Sequence, residues 1–534
     1  MPEIVFKGKE YVYNHHLTVP YRPLVVDAAK GIGPGDLNSN LVIHGDNLHA
    51  LKALLPRYAG RVDLVFIDPP YNTGNEGWVY NDNVNSPEIN AWLGKVVGKE
   101  AEDLSRHDKW LCMMYPRLRL LREFLREDGS IFVNLDDNEA ATCRLLLEEI
   151  FGRSNFVATI AWQRRISPDA RLRLGQAHDH IIVFAKKIES VSFNKVPLSG
   201  EQIADYKNPD KDARGLWVST DFTAQGWRPN QMYPITSPGG EVYEPPKGRC
   251  WGNIESEFVK LRDDGRMWFG KDGKGRPRVK TYLLENNGVS SWSWWPHAET
   301  GHNQEAKKEI NSVLGGDAPF DTPKPTRLVE RVLQVASNPG DLVMDSFAGS
   351  GTSAHAVLKL NAGQKEQAPR RFIVAEIDPK IAQTITAERI RRVARGYKST
   401  ADETVPGLGG GFRYVQLGEP LFDAAGKIRS TVRFRDLARH VFFTETGTPL
   451  PKDAPCDKPL LGVAHGTGVY LLYNGILKDK SPDGGNVLTQ PILDSLPQHD
   501  GPKVIYAASN RVSPARLKAR GIVFKQTPYA IKVR

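Results

Sequence analysis

Short apolar runs alternate with stretches of helical periodicity between residues 41 and 187. The runs LVIHGDN and DLVFIDPPY flank LHALKALLPRY, whose apolar residues recur at helical spacing. The alternation continues through WLCMMYPRLRLLREFLRED, GSIFVNLDD and NEAATCRLLLEEIFG, and it ends with NFVATIAWQ and HDHIIVFAKK. Because strands that are apolar throughout and alternate with helices are typical of buried parallel sheets, the pattern predicts a parallel, doubly wound α/β sheet.

The same alternation returns between residues 320 and 404. DLVMDSFAGSGTSAHAVLKLN predicts a strand, a glycine-rich turn and a helix. RRFIVAEIDP predicts a second strand, and KIAQTITAERIRRVARGY predicts a helix with a basic final stretch. Two strands and two helices are too few for a separate domain, so we expect them to join the sheet of the first region.

The remaining parts of the chain have a different pattern. Residues 188–319 are rich in Gly, Pro, Asn and Trp and lack helical periodicity until EAKKEINSVL, which predicts an irregular, β-rich insertion of the kind that often carries recognition. Residues 405–534 contain short strands such as GVYLLYNG and KVIYAAS. We therefore expect one α/β domain formed by residues 1–187 and 320–404, an inserted domain, and a separate C-terminal α/β domain.

Composition narrows the class of protein. With 534 residues, 40% hydrophobic and 25% charged, the chain is typical of a soluble protein of several domains. A net charge of +9 favours a polyanionic partner such as nucleic acid without requiring one. The four cysteines form no CxxC pair, so neither structural zinc nor a disulfide framework is expected. The N-terminus lacks a signal-peptide core and no apolar run is long enough to span a membrane, so we expect a cytoplasmic protein.

The glycine-rich turn DSFAGSG, from Asp345 to Gly351, follows a strand and opens a helix. Glycines at this place let a ligand approach the backbone at the carboxyl edge of a parallel sheet. The GxxxxGK[ST] pattern of a phosphate-binding loop is absent, and so is the third glycine of GxGxxG. The turn therefore suits a ligand that carries a nucleoside but no pyrophosphate. The next strand ends at Glu376, whose carboxylate could accept hydrogen bonds from ribose hydroxyls.

The tetrapeptide DPPY, Asp68 to Tyr71, ends another predicted strand. The exocyclic amino group of adenine or cytosine is a poor nucleophile, and two fixed acceptors for its N–H bonds would favour attack on a methyl group. The Asp68 carboxylate and the Pro69 carbonyl could supply these acceptors, the latter made rigid by Pro70. Tyr71 offers a face on which a base could stack. A capped strand followed by a tight turn is the alternative interpretation.

Together, DPPY and DSFAGSG resemble the S-adenosylmethionine-dependent amino-methyltransferases of DNA, in the circularly permuted, β-class order that places DPPY first. The fuller set of motifs is similar to the Mod subunits of type III restriction-modification systems. These motifs are GDNLHALKAL, VFIDPPYNTGNE, GSIFVNLDDNE, TPKPTRLVERVLQVASNPGDLVMDSFAGSGTSAHAVLKLN and RRFIVAEIDP. The resemblance covers roughly residues 40–187 and 300–415. It implies a permuted Rossmann-like sheet with adjacent cofactor and base sites, and a target-recognition role for the insertion.

The resemblance also implies an activity and its residues. The implied enzyme transfers a methyl group from S-adenosyl-L-methionine to N6 of an adenine flipped out of double-stranded DNA at a specific sequence. The resemblance also implies that the protein is a homodimer, that it works alone or with a separate restriction subunit, and that it holds no metal. The implied catalytic residues are Asp68, Pro69, Pro70 and Tyr71. The implied cofactor-binding residues are Asp46, Asn47, Thr322, Lys324, Pro325, Asp345, Phe347, Gly349, Gly351 and Glu376.

Other residues are candidates for handling the flipped base and the DNA backbone. Three tryptophans could fill the gap in the duplex or stack on the base, although such a cluster is more often part of a core: Trp292, Trp294 and Trp295. Three polar residues after DPPY could shape the pocket: Asn72, Thr73 and Asn75. Four arginines around a loop could hold phosphates or simply be solvated: Arg164, Arg165, Arg171 and Arg173.

Several alternatives remain open. Cytosine-N4 methylation uses a tetrapeptide that more often begins with Ser, so Asp68 favours adenine. Cytosine-C5 methylation needs a cysteine after proline, and Pro455-Cys456 lies in the hydrophilic DAPCDKP without an ENV partner. Methylation of RNA or of a protein amide could share the chemistry. A non-catalytic DNA-binding protein on a decayed methyltransferase fold is disfavoured by the intact motifs, and a helicase by the absence of a Walker A motif.

Overall fold

The computed structural model describes residues 3–73, 94–95, 105–167, 173–318, 320–423, 425–451, 454, 458–473 and 486–528. It divides into two compact units. The larger unit comprises Met1–Phe193 and Trp292–Arg534, and the smaller unit comprises Asn194–Ser291.

The strands of the described residues, in chain order, are β1 Leu24–Ile32, β2 Leu41–His44, β3 Val62–Ile67, β4 Leu125–Leu135, β5 Phe156–Gln163, β6 His178–Ala185, β7 Trp217–Asp221, β8 Thr223–Gln225, β9 Ile235–Thr236, β10 Val242–Tyr243, β11 Arg249–Trp251, β12 Met267–Trp268, β13 Arg278–Tyr282, β14 Trp294–Trp295, β15 Leu342–Asp345, β16 Arg371–Glu376, β17 Gly396–Lys398, β18 Thr404–Pro406, β19 Phe412–Leu417, β20 Leu460–Ala464, β21 Thr467–Leu471, β22 Val487–Leu488, β23 Lys503–Ala507, β24 Ser509–Asn510 and β25 Ile522–Gln526.

The α-helices of the same residues are Lys9–Val12, His15–Thr18, Asn47–Tyr58, Arg106–Phe124, Ala140–Phe151, Gly200–Ala204, Glu255–Asp263, His297–Thr300, Asn303–Leu314, Thr326–Ala336, Thr352–Gly363, Pro379–Ile381, Ala387–Arg395, Phe434–Thr446, Gln490–Ser495 and Pro514–Ala519. Short 3₁₀ turns lie at Arg153–Asn155, Pro229–Gln231 and Leu283–Glu285, and a π-helical turn lies at Ala382–Thr386. None of these described helices combines the length and apolarity that a bilayer crossing needs.

A ten-stranded sheet organises the larger unit, with the strand order β1-β19-β2-β16-β15-β3-β4-β6-β5-β14. Strand β15 pairs in parallel with β16 on one side and with β3 on the other. Strand β16 in turn pairs in parallel with β2. The prediction that the strands near residues 320–404 join the sheet of the first region is therefore confirmed.

The sheet is mixed, so the prediction of a parallel sheet is confirmed for its central strands and is wrong for β6 and β1. Strand β6 runs antiparallel to both β4 and β5, and β1 runs antiparallel to β19. No helix occurs in the described part of the connection between β5 and β6. A strand that returns without a crossover helix pairs antiparallel with its predecessor. The run HDHIIVFAKK forms a largely buried strand as the sequence predicts, whereas in NFVATIAWQ only Ile160 and Trp162 are buried. Periodicity alone does not determine the direction of either strand.

The boundaries of the two compact units differ from those of the domains that the sequence pattern predicts. The separate unit is Asn194–Ser291, shorter than the predicted insertion of 188–319. The strand β14 that follows it pairs in parallel with β5, which places it in the large sheet. The strand β19 also belongs to this sheet, although it lies beyond residue 404. A two-residue strand such as β14 carries no periodicity, which explains why the pattern does not assign it.

Helices cover the sheet and bury the apolar residues that predict them. The helix Arg106–Phe124 begins with a capping box, in which Ser105 accepts from the Asp108 N–H and Asp108 accepts from the Ser105 N–H. It packs with the helix Asn47–Tyr58 in a core that includes Leu51, Leu54 and Trp110. The core fixes the strand ends from which the site loops emerge.

The C-terminal part carries a smaller sheet, of order β20-β21-β23-β25, in which only the pair β20–β21 is antiparallel. Buried apolar residues lie on both faces of this sheet, in keeping with an α/β organisation, but these residues belong to the larger unit and do not form the separate compact unit that the sequence pattern predicts. In the smaller unit, a three-stranded sheet of order β12-β13-β7 and two strand pairs surround an aromatic cluster that includes Phe222, Trp251 and Phe258.

Candidate active site

The carboxyl ends of the parallel strands meet at one edge of the large sheet. Strand β15 ends at Asp345, β16 ends at Glu376, and Asp68 follows the end of β3 directly. Because ligands of open α/β sheets bind at this edge, the predicted site residues are brought to the place where a ligand is expected.

Asp68 is held by two donors from distant parts of the chain. Lys324 Nζ donates to Asp68 Oδ2 at 2.6 Å, and Asn134 Nδ2 donates to Oδ1 at 3.1 Å. A carboxylate offers about four acceptor positions, so these two bonds leave capacity for a substrate amine. The structure thus places the Lys324 side chain at the tetrad, whereas the motif resemblance implied a cofactor contact.

Tyr71 is buried, and its hydroxyl takes part in two hydrogen bonds. It donates to Asp179 Oδ2 at 2.9 Å and accepts from Asn134 Nδ2. Lys324 Nζ lies 4.8 Å from the centroid of the Tyr71 ring, within the range of a cation–π contact. Burial raises the pKa of Tyr71 well above its ordinary value, and the charges of Asp179 and Asp68 raise it further. The hydroxyl is therefore a fixed donor at neutral pH.

The carboxylate of Asp179 is almost completely buried, with 1% of the residue exposed. Burial raises its pKa to about 6, and the positive charges of Arg164 and Lys324 oppose this shift. Arg164 lies 2.9 Å from Asp179 Oδ1, and only 12% of its side chain is exposed. Arg164 was a candidate for holding phosphates, but the structure places its guanidinium beside a buried carboxylate.

The rest of the DPPY segment is fixed by neighbouring helices. The indole N–H of Trp110 donates to the Pro70 carbonyl at 2.7 Å. Asn72 adopts a left-handed conformation with φ of 59°, and its amide donates to the Arg106 carbonyl and to the buried Glu139 carboxylate. These contacts hold the turn that follows β3 in one conformation, in agreement with the rigidity that the two prolines predict.

On the cofactor side, Asp345 is buried and bonded to its own turn. Its carboxylate accepts from the Phe347 N–H at 2.9 Å and from the Ser353 hydroxyl at 2.6 Å. Burial raises the pKa of Asp345 to about 7, and the charge of Asp68 also raises it. Gly351 has a φ of 77°, and a Cβ added there would lie 3.2 Å from the Thr386 carbonyl oxygen. Only glycine fits this place without strain.

Glu376 closes the same turn. Its Oε2 accepts from the Gly349 N–H and its Oε1 accepts from the Asp378 N–H, each at 2.9 Å. Ser346 Oγ is buried in the turn without a hydrogen-bond partner among the described residues. A buried acid at a strand end, a glycine turn and an unsatisfied hydroxyl together fit the nucleoside and amino-acid groups of the implied cofactor, S-adenosylmethionine.

The GDN segment is connected to this turn. Asn47 Nδ2 donates to the Ser346 carbonyl at 2.8 Å, and Asp46 caps the helix Asn47–Tyr58 by accepting from the Leu48 N–H. The guanidinium of Arg117 donates to both Asp46 and Asn47. Arg117 is fully buried, and sequence pattern gives no reason to select it from a basic helix.

A pocket of about 340 Å³ lies between the tetrad and the TPKP segment. Its walls are formed by Asp68, Pro69, Tyr71, Thr73, Asp136, Asn138, Arg164, Arg165, Gln176, Asp179, Asn303, Asp321, Thr322, Pro323 and Lys324. Pro325 does not line it and instead caps the helix Thr326–Ala336. In the part of the chain that the structure describes, no group of three or more His, Cys, Asp or Glu is arranged to hold a metal ion.

The tryptophan candidates separate by burial. Trp295 is fully buried, whereas Trp292 is 64% exposed and Trp294 is 42% exposed. Trp295 is therefore a core residue, and the other two are accessible to a partner. Arg173 is exposed, and Thr73 is half-buried beside the pocket. Three candidates lie outside the described residues: Asn75, Arg171 and Cys456.

Sequence reasoning missed the side chains that support the tetrad. Asn134 lies in GSIFVNLDD and Asp179 in HDHIIVFAKK, and both runs were selected only as strands. A polar residue within the last two residues of an apolar strand, or its first two when the strand runs antiparallel, lies at the ligand edge of the sheet. That position is the signal that could have selected both residues.

Comparison with known proteins identifies the family. The family model described as DNA methylase, N6_N4_Mtase, matches residues 62–388. The Mod subunit of the type III restriction-modification enzyme StyLTI from Salmonella typhimurium is 35% identical over 455 residues, which cover 78% of this chain and 66% of that protein. The EcoPI Mod subunit of Escherichia phage P1 is 30% identical over 484 residues, with coverage of 78% and 70%.

Among solved structures, the cytosine-N4-specific PvuII DNA methyltransferase aligns with 66% of this chain and 86% of that chain, at 14% identity and a TM-score of 0.32. The chain spans about two thirds of the length of the StyLTI and EcoPI Mod subunits, 66% and 70% respectively. The family match includes both DPPY and DSFAGSG, so the resemblance drawn from these motifs is confirmed. The chain belongs to the N6/N4 DNA methylase family.

Proposed function

We propose that this protein transfers a methyl group from S-adenosyl-L-methionine to N6 of an adenine that is flipped out of double-stranded DNA at a specific sequence. The observation that supports the proposal most directly is the arrangement of Asp68 and Tyr71. Both line a pocket at the sheet edge, and Lys324 of the same pocket accepts through its carbonyl from the hydroxyl of Thr352, the residue after the glycine turn. The strand order, with the DPPY strand β3 beside the glycine-turn strand β15, supports a circularly permuted methyltransferase sheet.

In this proposal, Asp68 accepts one N–H of the adenine amino group, and the Pro69 carbonyl accepts the other. S-adenosylmethionine supplies an electrophilic methyl group on a sulfonium when it is bound. The positive charge that develops on the amine is stabilised by the Asp68 carboxylate, which Lys324 and Asn134 hold in place before the base arrives. Prearranged acceptors do not reorganise during the reaction, and this is the source of the rate enhancement.

Binding of the cofactor is assigned to the turn from Asp345 to Gly351 and to Glu376. The carboxylate of Glu376 is buried at the strand end and already accepts from the Gly349 N–H. A carboxylate at a strand end suits the two ribose hydroxyls, because it can accept several hydrogen bonds. The GDN segment is bonded to the same turn through Asn47, which supports its predicted role near the adenine of the cofactor.

Recognition of the DNA sequence is assigned to the unit Asn194–Ser291. Its loop GWRPNQ presents Trp227, which is 68% exposed, next to Arg228, whose guanidinium donates to Gln231. Arg and Gln side chains are suited to base edges, and an exposed aromatic side chain is suited to stacking. We further propose that the protein acts in the cytoplasm as a homodimer and, like the Mod subunits it is similar to, serves as the modification component beside a restriction subunit.

The proposal is tested by the variant Asp68→Ala. We expect binding of S-adenosylmethionine, measured by calorimetry, to stay within about twofold, and methyl transfer to fall by about 10²–10³-fold because a charge-stabilising group is lost. The matched control is Asp128→Ala, which removes an exposed carboxylate paired with Arg126. Single-molecule sequencing of DNA from cells that express the protein identifies the base and the site. Modified cytosine instead of adenine, or substantial turnover by Asp68→Ala, would contradict the assignment.

A further inference from the structure

A chain of hydrogen bonds runs through the base side of the pocket and crosses three strands. Asn134, near the end of β4, donates to both Asp68 and the Tyr71 hydroxyl. The Tyr71 hydroxyl donates to Asp179, the second residue of β6. Arg164, which follows β5, pairs with the other oxygen of Asp179. The two polar side chains of the DPPY tetrad are therefore connected to each other and to a buried carboxylate.

The direction of every bond in this chain follows from the charge of Asp179. An ionised carboxylate can only accept, so the Tyr71 hydroxyl must give it its single proton. The Tyr71 oxygen can then act only as an acceptor, and it accepts from Asn134. The amide of Asn134 must therefore direct its NH₂ group toward the tetrad, which leaves its second N–H for Asp68. A single buried charge thus determines the orientation of three side chains.

The cost of this arrangement is visible at Asn134. Its Oδ1 atom is buried and has no hydrogen-bond partner among the described residues. A buried acceptor without a partner destabilises the folded state, because it loses its hydrogen bonds to water. Turning the amide would not remove this cost without placing an acceptor against the Asp68 carboxylate. The network satisfies the tetrad at the expense of Asn134, which is expected of a site selected for function more than for stability.

We propose that Asp179 is a positioning residue for methyl transfer: through the Tyr71 hydroxyl it fixes the aromatic ring on which the target base stacks, and through Tyr71 and Asn134 it fixes the Asp68 carboxylate. This inference rests on the proposed function. It assigns a role to the HDH segment that begins β6, and it gives Arg164 the role of a countercharge. Asp179 itself need not touch the adenine.

The proposal predicts a characteristic pH dependence. The charged and titratable groups that face Asp179 are Arg164, Lys324, Tyr71 and Asp68. Burial raises the pKa of Asp179 to about 6, so it gains a proton as the pH falls through that value. A protonated carboxyl can donate as well as accept, and the direction of the bonds is then no longer determined. Turnover should therefore fall below about pH 6.

The test uses the full-length protein with a DNA duplex that it methylates, and the variants Asp179→Asn, Tyr71→Phe and their combination. We expect each single variant to lower kcat by about tenfold, because small displacements of a reacting group are costly. Binding of S-adenosylmethionine should change by less than about twofold. The double variant should be no slower than the slower single variant, since both changes interrupt one path; independent effects would multiply to about 100-fold. Both variants should lose the decline in kcat below pH 6.

The matched control is Glu149→Gln. Glu149 also accepts from a buried tyrosine, Tyr115, and also pairs with a cation, Lys9, but none of the three lines the pocket. The variant Glu149→Gln should therefore leave kcat and the pH dependence of kcat unchanged. Wild-type kcat in Asp179→Asn, or a multiplicative effect in the double variant, would overturn the inference. If Asp179→Asn fails to fold, Tyr71→Phe alone decides, because retention of the acidic decline in that variant overturns it. A wild-type protein that methylates no adenine would instead refute the proposed function.

Discussion

The two halves of the site are held together in different ways. In the cofactor half, the carboxylates of Asp345 and Glu376 accept from backbone N–H groups of the glycine turn, and Asp345 also accepts from the Ser353 hydroxyl of the helix that follows the turn. In the base half, Asp68 and Tyr71 bind side chains that lie between 63 and 256 positions away in the chain. The acids of the cofactor half are thus held mainly by backbone N–H groups, and Asp68 and Tyr71 of the base half are held by long-range side-chain contacts. Long-range side-chain contacts occur in the cofactor half as well, because Asn47 donates to the Ser346 carbonyl.

This difference predicts different responses to substitution. Backbone N–H groups of a tight turn are present whenever the strand, turn and helix form, so a change that deforms the turn should damage the cofactor half most. The base half depends on side chains carried by separate strands, so it should be damaged by replacing any of them while the turn remains intact. Cofactor affinity and turnover are therefore expected to be separable.

The largest effect on the affinity for the cofactor should come from deforming the turn with Gly351→Val. A branched residue at a φ of 77° is strained by about 1–2 kcal/mol or more, and its Cβ would lie 3.2 Å from the Thr386 carbonyl oxygen. We expect the affinity for S-adenosylmethionine, measured by calorimetry, to fall by about 30-fold. Gly340→Val is the control, because Gly340 has a φ of 90° in the loop before β15 but does not belong to the turn. Equal losses of cofactor affinity in the two variants would show that the effect is not specific to the glycine turn, and would contradict its assignment to the cofactor half.

A smaller effect, on turnover alone, is expected for Lys324→Met. Methionine keeps the length of the side chain but removes the donor to Asp68 and the cation beside Tyr71. We expect kcat to fall by about tenfold, with the affinity for S-adenosylmethionine nearly unchanged. Lys359→Met, which removes an exposed lysine paired with Glu330, is the control. A loss of cofactor affinity with normal kcat would return Lys324 to the cofactor half, as the motif resemblance implied.

The same contrast explains what could be predicted from the sequence. DSFAGSG and DPPY are contiguous, so their chemistry could be argued from residues that adjoin one another. The joining of β15 and β16 to β2 and β3 also followed, because two strands cannot bury their apolar faces alone. The family followed from both motifs and their order.

The long-range features could not be predicted in this way. The pairing of Asp68 with Lys324 depends on which loops meet at the sheet edge, and no local pattern records it. The direction of β6 depends on a connection without a helix, whereas its apolar run is compatible with either direction. In the sequence, Arg164 could be interpreted either as a phosphate-binding residue or as a solvated one. The carboxylate that it pairs with, Asp179, lies fifteen positions away on another strand, so no local pattern indicates the pair.

The smallest effect concerns stability and compares one buried carboxylate from each half. The donors of Asp345 are neutral, whereas Asp179 has the cation Arg164 beside it. Burial raises the pKa of Asp345 to about 7 and that of Asp179 to about 6, both above the value of 3.8 expected in the unfolded chain. The folded state therefore binds the proton more tightly, and each group's contribution to the free energy of unfolding declines as the pH rises from about 4 through these values. The decline caused by Asp345 is the larger of the two because its pKa is higher, and Asp345→Asn removes it. The free energy of unfolding is measured by urea denaturation without cofactor. As the pH rises from 5 to 8, we expect the value for Asp345→Asn to increase relative to that of the wild type by about 1 kcal/mol or more. The corresponding increase for Asp179→Asn should be smaller. An equal or larger gain for Asp179→Asn would show that the Arg164 countercharge does not compensate for burial, and the two halves would then not differ in how they tolerate charge.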